Sequence, residues 1–355
     1  APFAEGNEET LSLVDAAIVN FNERNKSETV SLKAQKEFMS WKHKGWEGLG
    51  SFDSKERKLA NDLLGFKGGI VFPTVAFDQV MATKDKKVLL GGVKALNRGM
   101  ASFCQDDSRM YGVAYIPFQF GETVALEYLK DAIKMGFSVI AIDTIAPLGS
   151  KSSSHYDFDC VWKEIEDADL AVTLHVGIDN GWDPVPTSFY NNGGSVPLHT
   201  AGDAPRDAIA YMGIAYCAEL FLASLIFDGV FDRFPKLRLG VIELGASWVI
   251  SWMKQLDQSF KAFRRLQDLS HLKMLPSEYV QKHIKLTAFP GEDIGWLLNN
   301  GAEDLLMFAS DYPHHEGTDD PIGRFENTMD GITEDLKNKF YTQNFKQLLG
   351  SRLSG

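Results

Sequence analysis

The stretch that decides the fold is Leu305-Leu306-Met307-Phe308-Ala309-Ser310-Asp311-Tyr312-Pro313-His314-His315. Its apolar run predicts a strand that is buried on both faces, as in a parallel sheet. Pro313 has no N–H for a sheet, so we expect the strand to end near Asp311. A carboxylate and two imidazoles would then follow a buried strand, at the edge where parallel α/β folds collect catalytic groups. From these residues alone, a helix cap and solvated histidines are an equally good interpretation.

The same alternation of apolar runs and helical stretches continues back along the chain. The runs that predict strands are 69–74, 111–117, 138–143, 170–177, 237–243, 284–289 and 305–311. Strands that alternate with helices indicate right-handed crossovers and a parallel sheet. Seven such units are one fewer than the eight of a (β/α)8 TIM barrel, and an open doubly wound sheet is the alternative. No strand is followed by GxGxxG, which counts against a dinucleotide-binding sheet.

Composition restricts the class of protein. The 355 residues are 44% hydrophobic and 24% charged, and a single TIM-barrel domain can occupy the whole of 1–355, with 1–54 as a peripheral N-terminal segment. A formal charge of −12 argues against nucleic acid or an anionic membrane as partner. We find no apolar run long enough for a membrane span. Three widely spaced cysteines favour a reducing, cytoplasmic location, and a homodimer is the default assembly.

Several chemically active side chains stand at the carboxyl ends of the predicted strands. In chain order these end residues are Thr74, Pro117, Asp143, His175, Glu243, Phe289 and Asp311. His175 and Asp311 could bind one divalent metal, since imidazole and carboxylate suit Zn, Mn or Fe. Two ligands are too few for a catalytic zinc site, however, and backbone hydrogen bonds could equally satisfy His175. Glu243 could be a further ligand, an acid or base, or the partner of an arginine.

The segment 178–206, rich in Gly, Pro and Asn, follows the strand of His175. It is much longer than a usual βα loop, so we expect an active-site loop. Trp182, Tyr190 and His199 could line a substrate pocket there, although an aromatic on a loop is more often packing.

Four motifs occur in order along the chain. They are Leu174-His175-Val176-Gly177, Phe234-Pro235-Lys236-Leu237, Val241-Ile242-Glu243-Leu244-Gly245-Ala246-Ser247-Trp248 and Phe308-Ala309-Ser310-Asp311-Tyr312-Pro313-His314. With flanking pieces at 62–74 and 340–345, they resemble the amidohydrolase-related (amidohydrolase 2) branch of the metal-dependent amidohydrolase superfamily. The resemblance covers roughly 55–349.

The resemblance implies a (β/α)8 barrel with one divalent metal, Zn first and Mn or Fe as alternatives. It implies hydrolysis or non-oxidative decarboxylation of a small carboxylated substrate, often aromatic or unsaturated. By position, His175 would be the strand-five metal ligand, and Asp311 the strand-eight ligand and proton shuttle. From their positions in the chain, and not from the resemblance, we predict Glu243 as a second catalytic group and His199, Trp182 and His314 as substrate contacts.

Two departures from the family pattern matter. The family's first strand carries an acidic-x-His or His-x-His pair, whereas here no histidine precedes His43. We therefore expect this chain to begin after that strand, with an incomplete ligand set. Glu243 stands where the family's decarboxylases place a histidine, which counts against decarboxylation. The alternative is a catalytically inactive or non-metal ligand-binding barrel.

Overall fold

A computed structural model of the protein describes residues 8–27, 45, 48–73, 76–77, 80, 83, 85–144, 151–177, 208–314, 317 and 320–353. The predicted substrate contacts Trp182 and His199, and with them most of the predicted loop 178–206, lie outside these residues. The three cysteines are free thiols.

Seven strands lie in the described part of the chain, one within each predicted run. They are β1 (Gly69–Val71), β2 (Met110–Ile116), β3 (Val139–Ile142), β4 (Ala171–His175), β5 (Arg238–Ile242), β6 (Ile284–Thr287) and β7 (Leu306–Met307). The α-helices are α1 (Glu8–Arg24), α2 (Ser54–Leu64), α3 (Lys86–Cys104), α4 (Glu122–Lys134), α5 (Asp159–Asp167), α6 (Ala208–Gly213), α7 (Tyr216–Phe227), α8 (Val230–Arg233), α9 (Val249–Phe263), α10 (Pro276–His283), α11 (Ile294–Leu297), α12 (Pro321–Glu326), α13 (Glu334–Asn338) and α14 (Asn344–Leu349). Strands and helices alternate, as the sequence predicts.

The chain forms two compact units. Unit 1 comprises Ala1–Val113 and Ser310–Gly323, and unit 2 comprises Ala114–Ala309 and Arg324–Gly355. In unit 1, β1 pairs in parallel with the first half of β2. Helix α2 begins after Asp53, whose side chain accepts a hydrogen bond from the N–H of Glu56, and it ends at Gly65 in the left-handed conformation.

Unit 2 is built on a parallel sheet in which β3, β4, β5, β6 and β7 pair in chain order. The residues of β3, β4 and β6 are buried throughout, as expected for a parallel sheet that is covered on both faces. The register pairs His175 with Ile242. The last residue of β4 and the residue that follows β5, Glu243, therefore arrive at the same edge of the sheet.

The predicted strand over 305–311 is shorter than expected. Strand β7 ends at Met307, because the N–H of Phe308 donates to the carbonyl of Phe340 instead of to a strand. The Asn344 side chain donates to the carbonyl of Leu306 at 2.7 Å. Asp311 thus follows the strand by four residues, in a turn rather than in the sheet.

A cluster of charged and polar groups holds the amino ends of β4 and β5. Arg238, the first residue of β5, donates to Asp169 Oδ1 at 2.5 Å and to the carbonyl of Leu348 at 2.8 Å. Asp169 also accepts from the N–H of Ser351 at 3.1 Å. Burial alone would raise the pKa of Asp169, but hydrogen bonds from Ser351 and Arg238 outweigh it and hold that pKa below its usual value. This cluster, the Arg238 latch, ties residues 348–351 to the sheet.

One region departs from the expectation that no run could cross a membrane. Ala208–Phe227, which comprises α6 and α7, is long and apolar enough by length and composition alone. Such a single helix is weak support for a membrane span, because core helices pass the same test. Helix α7 buries Phe221, Leu222 and Leu225.

Candidate functional site

His175 is the last residue of β4, and it is buried with 6% of its surface exposed. Its Nδ1 lies 2.8 Å from the carbonyl oxygen of Val176, a distance at which Nδ1–H donates to that oxygen. In that tautomer Nε2 carries the lone pair, which is how metal-binding histidines are usually oriented. The backbone hydrogen bond that the sequence offered as an alternative role is therefore present, and it prepares the other nitrogen for a ligand.

Glu243 faces His175 at the end of β5. Glu243 Oε2 lies 2.9 Å from His175 Nε2. The Glu243 backbone adopts φ +60°, and its N–H donates to Thr287 Oγ1 on β6 at 2.9 Å. A left-handed non-glycine residue costs roughly 1–3 kcal/mol and is retained where surrounding structure fixes it. The register of β4 and β5, together with this turn, brings a buried imidazole and a carboxylate together.

A second carboxylate, Glu292, fixes the turn that follows Glu243. It accepts hydrogen bonds from the N–H groups of Ala246 at 3.0 Å, Ser247 at 2.6 Å and Phe289 at 2.6 Å. Because α9 begins two residues after Ser247, the negative charge also lies near a helix N-terminus, where it is favourable. Glu292 therefore joins the turns after β5 and β6 and limits the movement of Glu243.

Asp311 and His314 belong to unit 1. Asp311 Oδ2 lies 3.6 Å from His314 Nδ1, and the N–H of His314 donates to the carbonyl of Asp311 at 2.8 Å. Asp311 adopts φ +54°. Among the described residues, the non-glycine residues with positive φ are Asp169, Glu243 and Asp311, so two of the three are predicted site residues. Backbone strain of this kind clusters at functional sites.

Asp143 directly follows β3, and its side chain belongs to a different hydrogen-bond network. It is fully buried, and its oxygens accept hydrogen bonds from the Tyr115 hydroxyl and, at 2.8 Å, from the N–H of Gln119. Burial raises the pKa of Asp143 to about 7, against the lowering effect of those hydrogen bonds. The burial of Tyr115 likewise raises its own pKa.

Asp143 should make stability depend on pH. Because its folded-state pKa of about 7 exceeds the unfolded value, the protonated folded state is favoured, and this contribution is lost as pH rises toward 7. From pH 5 to pH 8 the wild type should lose about 2–3 kcal/mol more than the Asp143→Asn variant, at ~1.4 kcal/mol per pH unit. Urea denaturation of both proteins in EDTA measures this difference. Parallel pH profiles would contradict the assignment.

The donor atoms suit a divalent metal. His175 Nε2 and the Glu243 carboxylate provide nitrogen and oxygen donors in unit 2, and Asp311 and His314 provide the same pair of donor types in unit 1. Zn and Mn accept both kinds of donor. The predicted metal ligands His175 and Asp311 are thus each found beside a second donor.

Sequence reasoning missed the groups that support these donors. Glu292 lies in a Phe-Pro-Gly-Glu turn. Phe289 is a partner within that turn, but the partners Ala246 and Ser247 lie more than forty residues away, so no local pattern reveals the link to the turn after β5. Asp143 was among the predicted strand-end residues, whereas its hydrogen-bond partner Tyr115, on the preceding strand, was not. Their pairing depends on side-chain direction, which the strand pattern leaves open.

Comparison with known proteins gives a family-level match. A family model described as amidohydrolase, of the amidohydrolase 2 type, matches residues 70–350. No curated protein sequence matches the chain.

Several solved structures are similar. An amidohydrolase from Mycobacterium avium subsp. paratuberculosis has a TM-score of 0.70 and 20% identity, with 85% of this chain and 74% of that chain covered. A 5-carboxyvanillate decarboxylase from Novosphingobium aromaticivorans with bound manganese has a TM-score of 0.63 and 21% identity, with 84% and 81% covered. The 2,6-dihydroxybenzoate decarboxylase from Rhizobium has a TM-score of 0.58 and 20% identity, with 76% and 80% covered. At such identities the likeness establishes a shared fold.

Proposed function

Because the chain belongs to the amidohydrolase family, we propose that it is a metal-dependent enzyme that hydrolyses or decarboxylates a small carboxylated substrate, aromatic or unsaturated. The observation that carries the proposal is the pair at the ends of β4 and β5. A buried imidazole with Nδ1 bonded to a backbone carbonyl points Nε2 at a carboxylate 2.9 Å away. Two lone pairs at 2.9 Å would repel each other, so this geometry needs a proton or a cation between the nitrogen and the oxygen.

The residues have separate roles in this proposal. His175 and Asp311, the ligands that the sequence predicts, would hold one divalent ion, Zn²⁺ or Mn²⁺, and the Glu243 carboxylate, 2.9 Å from His175 Nε2, would serve as a further acid or base. When bound, such an ion supplies a Lewis acid that polarises a carboxylate or carbonyl and lowers the pKa of water. The Asp311 carboxylate would move a proton between water and substrate, and His314, 3.6 Å from it, would contact the substrate.

The two reactions have support from different observations. Several similar structures are decarboxylases of aromatic acids, which favours decarboxylation. Glu243, in place of the histidine found in the family's decarboxylases, favours hydrolysis, because a second carboxylate can serve as a base toward water. The alternative outcome is a barrel that binds an organic acid without catalysis.

We also propose that the chain folds as a (β/α)8 barrel. The parallel sheet of unit 2 is the shared part of the amidohydrolase fold, and an eighth strand would complete a single (β/α)8 domain. A homodimer, a cytoplasmic location, and the absence of nucleic-acid and membrane partners stay predictions.

Metal analysis combined with a substrate panel tests the function. We expect about one Zn or Mn ion per chain after purification, as one mononuclear site requires. Hydroxybenzoates and vanillate-type acids would be tested for CO2 release, and their esters and amides for hydrolysis. Turnover that EDTA abolishes and added Mn²⁺ or Zn²⁺ restores would support the proposal. If the purified protein contains no metal and binds these acids without converting them, the proposal is wrong and the chain is a binding protein.

A further inference from the structure

The segment Ser310–His314, here called the post-β7 segment, carries Asp311 in an unfavourable backbone conformation. Its φ of +54° lies in the left-handed region, which few residues other than glycine, asparagine and aspartate adopt. Within the segment, the N–H of His314 donates to the carbonyl of Asp311 and the N–H of Tyr312 donates to Ser310 Oγ, and the carbonyls of Tyr312 and Pro313 find partners outside it. Those partners lie within unit 1.

Arg57, in the first turn of α2, is one of them. Its Nη1 donates to the carbonyl of Tyr312 at 3.2 Å and its Nε donates to the carbonyl of Gly50 at 2.8 Å. The guanidinium lies 5.5 Å from the centroid of the Tyr312 ring and 5.9 Å from that of Phe103. Arg57 is 9% exposed, and burial lowers its pKa.

The buried charge of Arg57 has no ion pair with a carboxylate among the residues that the structure describes. Burial of an arginine without such a partner is costly, so the carbonyl and ring contacts must compensate for its lost hydration. A planar guanidinium can donate to two carbonyls while it stacks on rings, which a lysine cannot do. The chemistry at position 57 is therefore specific for arginine.

Gly45 and the turn at residues 48–50 contact the same segment. The N–H of Gly45 donates to the carbonyl of Pro313 at 2.5 Å, and the Tyr312 hydroxyl donates to the carbonyl of Leu49 at 2.9 Å. A Cβ at Gly48 would lie 2.6 Å from Pro313 Cβ. Because Gly48 has no side chain, its backbone can approach Pro313 this closely. A side chain at position 48 would require the turn or Pro313 to move.

We infer that Arg57, Gly45 and the turn at residues 48–50 are positioning elements that hold the post-β7 segment, and with it the Asp311 carboxylate, in one conformation. Arg57 touches neither Asp311 nor the substrate and acts through Tyr312. The inference rests on the proposed function only where it assigns Asp311 to a metal. The ordering of the segment itself can be measured without any metal.

Hydrogen exchange over residues 310–317, followed by mass spectrometry on metal-free protein, tests the ordering. We expect Arg57→Gln to speed exchange there by about tenfold or more, and Arg57→Lys to restore part of the protection. Gly48→Ala, which leaves Arg57 intact, should also speed exchange over residues 310–317. Arg109→Gln is the matched control, because Arg109 binds Asp107 and Asp62 in the same unit, at 2.7 and 2.8 Å.

The outcomes separate the two proposals. If Arg57→Gln and Gly48→Ala leave exchange over 310–317 unchanged, or if Arg109→Gln speeds it equally, the inference is overturned. Faster exchange together with roughly 10- to 100-fold weaker Mn²⁺ binding, measured by electron paramagnetic resonance, supports both proposals. Faster exchange with unchanged Mn²⁺ affinity supports the positioning role and removes Asp311 from the metal site.

Discussion

The Asp311→Asn variant is expected to turn over about 10²- to 10⁴-fold more slowly than the wild type, because a general acid or base usually accelerates a reaction by that factor. The amide has the size of the carboxyl group but cannot take up a proton at neutral pH. Asparagine also tolerates the left-handed backbone that Asp311 adopts at φ +54°, so the substitution should add little strain. Turnover of the substrate that the panel identifies, together with metal content, measures the effect.

Asp169→Asn is the matched control for that experiment. Asp169 also has a positive φ, +51°, but it lies at the amino end of β4, in the Arg238 latch. The control should lose stability, through its ion pair with Arg238, and should keep its turnover per folded molecule. Wild-type turnover in Asp311→Asn would refute the proton-transfer role, and equal losses in both variants would point to general damage.

His175→Ala should remove metal from the protein. Loss of an outer-shell partner typically weakens metal binding by about 10- to 100-fold, so loss of a direct ligand should weaken it at least as much. The fold should survive, because alanine keeps the backbone pairing of β4 and removes only one side chain. Metal content after dialysis is the measurement, and unchanged content would rule out His175 as a ligand.

His283→Ala provides the comparison for a buried histidine in the same unit. His283 is 3% exposed, its Nδ1 lies 2.8 Å from the carbonyl oxygen of Leu237, and its ring stacks on Phe231 at 4.5 Å. Burial lowers its pKa to about 4, so it is neutral at pH 7. This variant should be less stable than the wild type and retain the metal. Metal loss in both variants would indicate that the site responds to any defect in the sheet.

The order and type of the strands could be predicted from the sequence because each is a short apolar run between turn residues. Burial on both faces gives a parallel strand a pattern that needs no tertiary information. The extent of β7 could not be predicted. The N–H of Phe308 and the carbonyl of Leu306 bind Phe340 and Asn344, and those partners lie more than thirty residues away in the chain.

For the candidate site, the sequence predicted which residues stand at the strand ends, but it did not predict their distances or backbone conformations. His175 and Glu243 were placed at one edge by strand order, and the register then brings them to 2.9 Å. The backbone conformations of Glu243 and Asp311 were not predictable, because positive φ is rare for glutamate and only an occasional choice for aspartate. Glu292 and Arg57 impose those turns through hydrogen bonds to backbone atoms that carry no sequence signature.

The Arg238 latch has a practical consequence for how the chain can be shortened. Arg238 and Asp169 both take partners from residues 348–351, and they sit at the opposite ends of the strands that present Glu243 and His175. Deleting everything after Gln347 would remove no candidate ligand, yet it would strip two partly buried charges of their backbone and hydroxyl contacts. The free energy of unfolding, rather than the turnover per folded molecule, should therefore be sensitive to trimming after Gln347, and an affinity tag fused close behind the latch would need a spacer.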